Sequence, residues 1–106
     1  MDPLLSAQLL ADLPPVEVAP GVVRRSLFSS DRLTAWVIDF EPGSRWPEVD
    51  HHGEEERYFV LSGELIEDGQ RIPAGSYVRW AAGSSHQPSS EVGARILGHN
   101  VVGHPA

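Results

Sequence analysis

The sequence predicts an all-β protein, folded as one small β-barrel with a short helix at its N-terminus. Its 106 residues are the size of a single domain. Hydrophobic residues make up 41% of the chain and charged residues 22%, which is typical of a globular protein. Glycines recur about every ten residues from Gly43 to Gly103, and short strands separated by turns at this spacing favour a β-sandwich or barrel.

The helix is predicted at residues 4–13. Asp2 can cap its first turn, Pro3 suits the first helical position, and the pair Pro14 and Pro15 ends it. The candidate strands are rich in Val, Ile, Leu and aromatic residues, and most are bounded by Gly, Pro, Ser or Asp. They are residues 22–28, 33–41, 57–62, 76–80 and 94–99.

Two-residue alternation is clearest around residues 57–62, where both faces of the strand carry apolar side chains. The faces are Arg57, Phe59 and Leu61 on one side, and Glu56, Tyr58 and Val60 on the other. This pattern suits a strand covered on one side by the barrel interior and on the other by a second sheet or subunit.

Charge and cysteine content exclude several functions. Acidic residues outnumber basic ones 15 to 8, and the net charge of -7 makes nucleic acids and anionic membranes unsuitable partners. Without cysteine, disulfides, iron–sulfur clusters and thiolate zinc sites are impossible. No apolar stretch is long enough to cross a membrane, and the N-terminus has no basic region typical of a secretory signal, so we expect a cytoplasmic protein.

The densest polar cluster lies at residues 48–56, where five carboxylates accompany His51 and His52. Imidazole and carboxylate groups suit divalent iron, manganese, nickel or zinc. A further histidine, His86, follows the strand at residues 76–80. The alternative is a solvated acidic loop together with an unrelated surface histidine.

The stretch PGSRWPEVDHHGEEERYFVLSGE resembles the first sequence motif of the cupins, at residues 43–63. Gly43 opens the motif, His52 takes the place of its second histidine, Glu56 follows after three residues, and Gly63 closes it after six more. Asp50 stands where the motif has its first histidine.

The stretch GSYVRWAAGSSHQPSS resembles the second cupin motif, at residues 75–90, with Gly75, Gly83 and His86 at the expected spacing. Ala81 replaces the proline of this motif and Ser90 its last asparagine. The same region is similar to the cupin domain of the ChrR-type zinc-binding anti-sigma factors.

The resemblance implies a single cupin domain over residues 1–106, folded as a double-stranded β-helix of the jelly-roll type. It also implies a divalent metal ion bound by His52, Glu56 and His86. Two histidines and one carboxylate also match the facial triad of non-heme iron oxygenases. The sequence does not distinguish iron, zinc, manganese and nickel.

The fourth ligand is predicted to be His51, by a small margin, with Asp50 as the alternative. Alternation along a strand places Asp50 on the same side as His52, which favours Asp50. A bend at Gly53 would instead turn His51 inward, and His51 would add no further negative charge beside Glu56. The third alternative is a metal ion with only three protein ligands.

Tyr58, Val60 and Trp46 are candidates for the wall of a substrate pocket beside the metal, and packing in the core is the alternative role. The resemblance implies a homodimer that binds a small molecule. The function predicted is a metal-dependent enzyme acting on a small organic molecule, dioxygenase-like or isomerase-like. The alternatives are a non-catalytic metal or ligand sensor of the ChrR type and a barrel without metal.

Overall fold

The computed structural model describes residues 3–51 and 53–101, and the regular structure in these ranges is almost entirely β. The all-β prediction is therefore confirmed. The strands are β1 (Val16–Ala19), β2 (Val22–Ser26), β3 (Leu33–Phe40), β4 (Ser44–Arg45), β5 (Asp50–His51), β6 (Glu55–Glu67), β7 (Gln70–Pro73), β8 (Tyr77–Trp80), β9 (Ser85–His86), β10 (Ser89–Ser90) and β11 (Ala94–Val101).

Nine of these strands form one sheet, and all the pairings in it are antiparallel. The order is β1-β2-β3-β11-β6-β10-β4, and β7 and β8 also pair with β6. The short strands β5 and β9 form a separate two-stranded sheet. The five predicted strands correspond to β2, β3, β6, β8 and β11, and β6 extends well beyond the predicted residues 57–62.

The sheet curls around one hydrophobic core. Its members come from β2, β3, β6 and β11, which are rich in β-branched and aromatic residues. The buried core residues are Val22, Trp36, Ile38, Phe40, Tyr58, Val60, Leu65, Ala94 and Ile96.

The first half of β6 follows the predicted alternation. Glu56, Tyr58 and Val60 are all buried, whereas Phe59 and Leu61 on the outward face are 40% and 46% exposed. In this single chain, the outward apolar side chains of β6 are therefore only partly covered.

The alternation of β6 changes at a bulge. Its register with β11 shifts between Arg95 and Ile96, and Gly63 has a φ of 70°. A Cβ at this glycine would lie 1.9 Å from the carbonyl oxygen of Gly93, so no other residue fits there without a backbone shift. Beyond this point, the buried residues of β6 are Leu65 and Glu67.

The predicted N-terminal helix is wrong: the structure has only a 3-10 turn at Leu10–Asp12. Leu5 is 98% exposed, and no residue of the turn is buried. A helix of about ten residues without a buried face is marginal in water. The segment contacts the barrel by another route, since the side-chain carbonyl of Gln8 accepts a hydrogen bond of 2.7 Å from the Phe28 amide. Within the described ranges, no helix is long and apolar enough to cross a membrane.

Candidate metal centre

Two short strands bring Asp50 and His86 together. In the pairing of β5 with β9, Asp50 is directly opposite His86, and side chains at such positions are close neighbours. Oδ2 of Asp50 lies 3.8 Å from Nε2 of His86. Asp50 in the acidic segment and His86 in the second motif are 36 residues apart in the sequence, and the pairing of β5 with β9 brings them together.

The long strand β6 adds Glu56 to this pair. Its Oε1 lies 3.1 Å from Nε2 of His86, and its Oε2 accepts a hydrogen bond of 3.3 Å from the Asn100 side chain. Asp50, Glu56 and His86 each offer one ligand atom, and these atoms lie within 4.8 Å of one another. We call these three residues the carboxylate–imidazole cluster. Two carboxylates and one imidazole are a donor set suited to a divalent metal ion.

A second buried carboxylate holds the other side of the histidine ring. Oε2 of Glu67 lies 2.8 Å from Nδ1 of His86 and accepts a 2.5 Å hydrogen bond from the Tyr58 hydroxyl. Glu67 is only 2% exposed. With Nδ1 engaged by Glu67, Nε2 faces Glu56 and Asp50. Metal-binding histidines in proteins are oriented in this way by a carboxylate on the second nitrogen.

The ring of Trp80 completes the support of His86. The two rings stack with their centroids 4.6 Å apart and an angle of 19° between their planes. Trp80 therefore fixes the plane of the imidazole, and Glu67 fixes the direction in which its nitrogens point within that plane.

The carboxylates control the protonation of this region. Burial lowers the pKa of His86, but hydrogen bonds to Glu56 and Glu67, together with their charges, raise it more, to about 9. Without a metal ion, the imidazolium form thus compensates the buried carboxylates at neutral pH. Burial and the charge of Glu67 also raise the pKa of Tyr58, which keeps its hydroxyl protonated as a donor.

The carboxylate–imidazole cluster opens onto a cavity of about 190 Å³. Trp46 and Tyr58, two of the predicted pocket residues, contribute to its wall, together with Trp36 and Phe40. Val60, the third, is fully buried in the hydrophobic core.

The structure thus brings Glu56 and His86 together with Asp50. His52 lies outside the described residues, and so does the side chain of His51, which belongs to β5. Glu67 was not predicted as a site residue from the sequence. Its inward position depends on the bulge in β6, and the only signal for that bulge in the sequence is the glycine four residues earlier.

Comparison with known proteins gives the family. Residues 7–100 match the ChrR cupin-like domain family. The chain belongs to this family. No curated protein sequence matches the chain significantly.

Solved structures show that this cupin shares its fold with several proteins. An RmlC-like cupin from Shewanella frigidimarina is similar with a TM-score of 0.80 and 19% identity, over 92% of this chain and 90% of the other. The polyketide cyclase RemF from Streptomyces resistomycificus is similar with a TM-score of 0.79 and 18% identity, over 97% of this chain and 83% of the other. A chain in the structure of Rhodobacter sphaeroides SigE in complex with the anti-sigma ChrR is similar with a TM-score of 0.76 and 21% identity. The match covers 87% of this chain and 50% of the other. At these identities the likeness concerns the fold alone.

Proposed function

We propose that this cupin binds one divalent metal ion at Glu56, His86 and Asp50, with His52 as a further ligand from the motif pattern. The observation that carries the proposal is the carboxylate–imidazole cluster itself, whose ligand atoms converge within 4.8 Å. The orientation of His86 by Glu67 supports it, because Nε2 is already directed to the other two ligands.

The cavity beside the cluster favours an enzyme. A metal ion at the wall of a shaped cavity supplies Lewis-acid or redox chemistry to a bound substrate. Asn100 holds one oxygen of Glu56, and Tyr58 with Glu67 holds His86, so these side chains keep the ligands in place. We propose a dioxygenase-like or isomerase-like reaction on a small organic molecule. Iron, zinc, manganese and nickel share these ligand types, and the identity of the metal is an outcome of the experiment below.

A non-catalytic metal or ligand sensor is the second candidate, and the family match to the ChrR cupin-like domain favours it. An enzyme needs access of substrate to the metal through the cavity, whereas a sensor needs only a change in the protein on binding. Turnover of a bound organic molecule by the metal-loaded protein would decide for the enzyme.

We also propose a homodimer. Phe59, Leu61 and Tyr77 form an exposed apolar patch on the outward side of β6 and β8, where Phe59 and Tyr77 are paired across the strands. A second copy of the chain would cover this patch. Light scattering coupled to gel filtration should give twice the chain mass of 11.6 kDa, and replacing Phe59 by Ser should shift it to the monomer.

Metal content tests the main proposal. Protein stripped with a chelator is dialysed separately against zinc, manganese, iron(II) and nickel, and bound metal is measured by elemental analysis. We expect about one ion per chain in the natural protein and a strong loss in Glu56→Gln and His86→Gln. Glu64→Gln makes the same charge change on β6, at a surface pair with Arg71, and should bind metal normally. Normal metal content in both site variants would refute the proposal, provided that circular dichroism shows them folded.

A further inference from the structure

The size of the cavity limits what it can hold. Its volume is about 190 Å³, and an apolar cavity of roughly 150 Å³ accommodates one benzene molecule. A single ring with one or two small substituents fills this space, whereas part of a fused two-ring system would extend out of it and lose contact with the wall. The aromatic side chains in the wall, which include Trp36, Phe40 and Trp46, provide flat surfaces that suit an aromatic ring.

Arg24 gives the same cavity a positive charge. It lies on β2, two residues after the fully buried Val22 and therefore on the same inward face, where it lines the cavity. Its neighbour Arg25 points to the opposite face and pairs with Asp39 at 3.3 Å. A guanidinium that lines a cavity is a suitable partner for an anionic ligand bound there.

The contacts of Arg24 distinguish it from other arginines of the barrel. Its guanidinium donates one hydrogen bond of 3.3 Å to the hydroxyl of Ser26. Several other arginines contact carboxylates instead; they are Arg25, Arg57, Arg71, Arg79 and Arg95. A guanidinium has five N–H donors, and two of them match the two oxygens of a carboxylate. Arg24 therefore has donors to offer to an anion in the cavity.

From these observations we infer that the ligand of this cavity is a single-ring aromatic carboxylate, held by Arg24 at its acid group and by the aromatic wall at its ring. For the other end of the ligand, where an oxygen substituent would face the metal ion, the inference rests on the proposed function. The charges are consistent with this orientation. Asp50, Glu54 and Glu56 line the cavity together with Arg24, and the carboxylates repel the acid group of the ligand whereas the guanidinium attracts it.

Calorimetric titration of the zinc-loaded protein tests this inference with three probes. The first is 4-hydroxybenzoate, the second is phenol, which lacks the carboxylate, and the third is 6-hydroxy-2-naphthoate, which has a second ring. We expect saturable binding of 4-hydroxybenzoate at least about tenfold tighter than that of either other probe.

The matched variants are Arg24→Gln and Arg25→Gln, which remove the same charge from neighbouring positions that face opposite sides of β2. The first should weaken 4-hydroxybenzoate binding about tenfold and leave phenol binding unchanged. The second should change neither. Equal affinity for 4-hydroxybenzoate and phenol, undiminished binding to Arg24→Gln, or binding of the naphthoate as tight as that of the single ring would each overturn the inference.

Two measurements on the same samples separate this inference from the proposed function. If elemental analysis finds no bound metal, the proposed function fails, and the Arg24→Gln comparison on the metal-free protein still decides the inference. If metal is bound but none of the probes binds, the metal site stands and the inference is overturned.

Discussion

Replacing Glu67 by Gln isolates the role of the carboxylate behind His86. Glu67 is not proposed to touch the metal. It accepts from Nδ1 of His86 at 2.8 Å and from the Tyr58 hydroxyl at 2.5 Å, in a position that is 2% exposed. Gln keeps the shape of the side chain and removes its charge. The change therefore weakens the hold on the imidazole without opening a cavity.

The expected loss of metal affinity follows from this geometry. Removing a carboxylate that orients a metal-binding histidine typically costs between about 10-fold and 100-fold in affinity. Because the Gln carbonyl can still accept one of the two hydrogen bonds, we expect the lower end of this range. About tenfold corresponds to about 1.4 kcal/mol of binding free energy.

The assay is a competition for zinc between the protein and a chromophoric chelator of known affinity. The control is Glu64→Gln, which makes the same substitution on β6 at a surface pair and should leave the affinity unchanged. Zinc binding by Glu67→Gln as tight as that of the natural protein, or equal weakening by both substitutions, would refute this role of Glu67.

Three further predictions concern the metal-free protein and the ligand set. Stripping the metal should lower the melting temperature, because a ligand at about 100 times its dissociation constant adds about 2.7 kcal/mol of stability; an unchanged midpoint in protein verified as metal-loaded would contradict this. In the stripped protein, His86 has a pKa of about 9, above its ordinary 6.5, so its charge contributes stability on the order of 3 kcal/mol below about pH 6.5. This contribution should disappear as the pH rises through 9, seen in urea unfolding as a gap between the natural protein and His86→Gln that closes; a constant gap would be inconsistent with the raised pKa. Asp50→Ala should lose more bound zinc than His51→Ala, because Asp50 lies within the carboxylate–imidazole cluster, and the reverse order would make His51 the fourth ligand.

Local sequence patterns predicted five strands of the main sheet, β2, β3, β6, β8 and β11, but not its shorter strands β1, β4, β7 and β10. The alternation of Glu56, Tyr58 and Val60 correctly gave the inward face of β6, because period-two burial depends only on strand geometry. The spacing of the two motifs singled out Glu56 and His86, which the structure brings within 3.1 Å.

Features that depend on long-range packing were not predictable in this way. Strict alternation from Val60 would turn Glu64 inward and Glu67 outward, and the bulge at Leu61 reverses this. β6 pairs with β11 up to Gly63 and with β7 and β10 beyond it, and local sequence patterns do not reveal these tertiary pairings. The predicted helix at residues 4–13 failed for a related reason: its capping signals are local, but no surface of the barrel buries its leucines.

The most direct test of the metal centre is anomalous diffraction from crystals of the zinc-loaded protein, measured on both sides of the zinc absorption edge. We expect one strong peak per chain, about 2.0–2.2 Å from Nε2 of His86 and from a carboxylate oxygen of Glu56. The hydrogen bond between Nδ1 of His86 and Glu67 should be retained, and the ion should separate Nε2 from the Glu56 oxygen that lies 3.1 Å away in the structure described above. An absent peak, or one bound elsewhere while His86 still contacts Glu56 directly, would contradict the account.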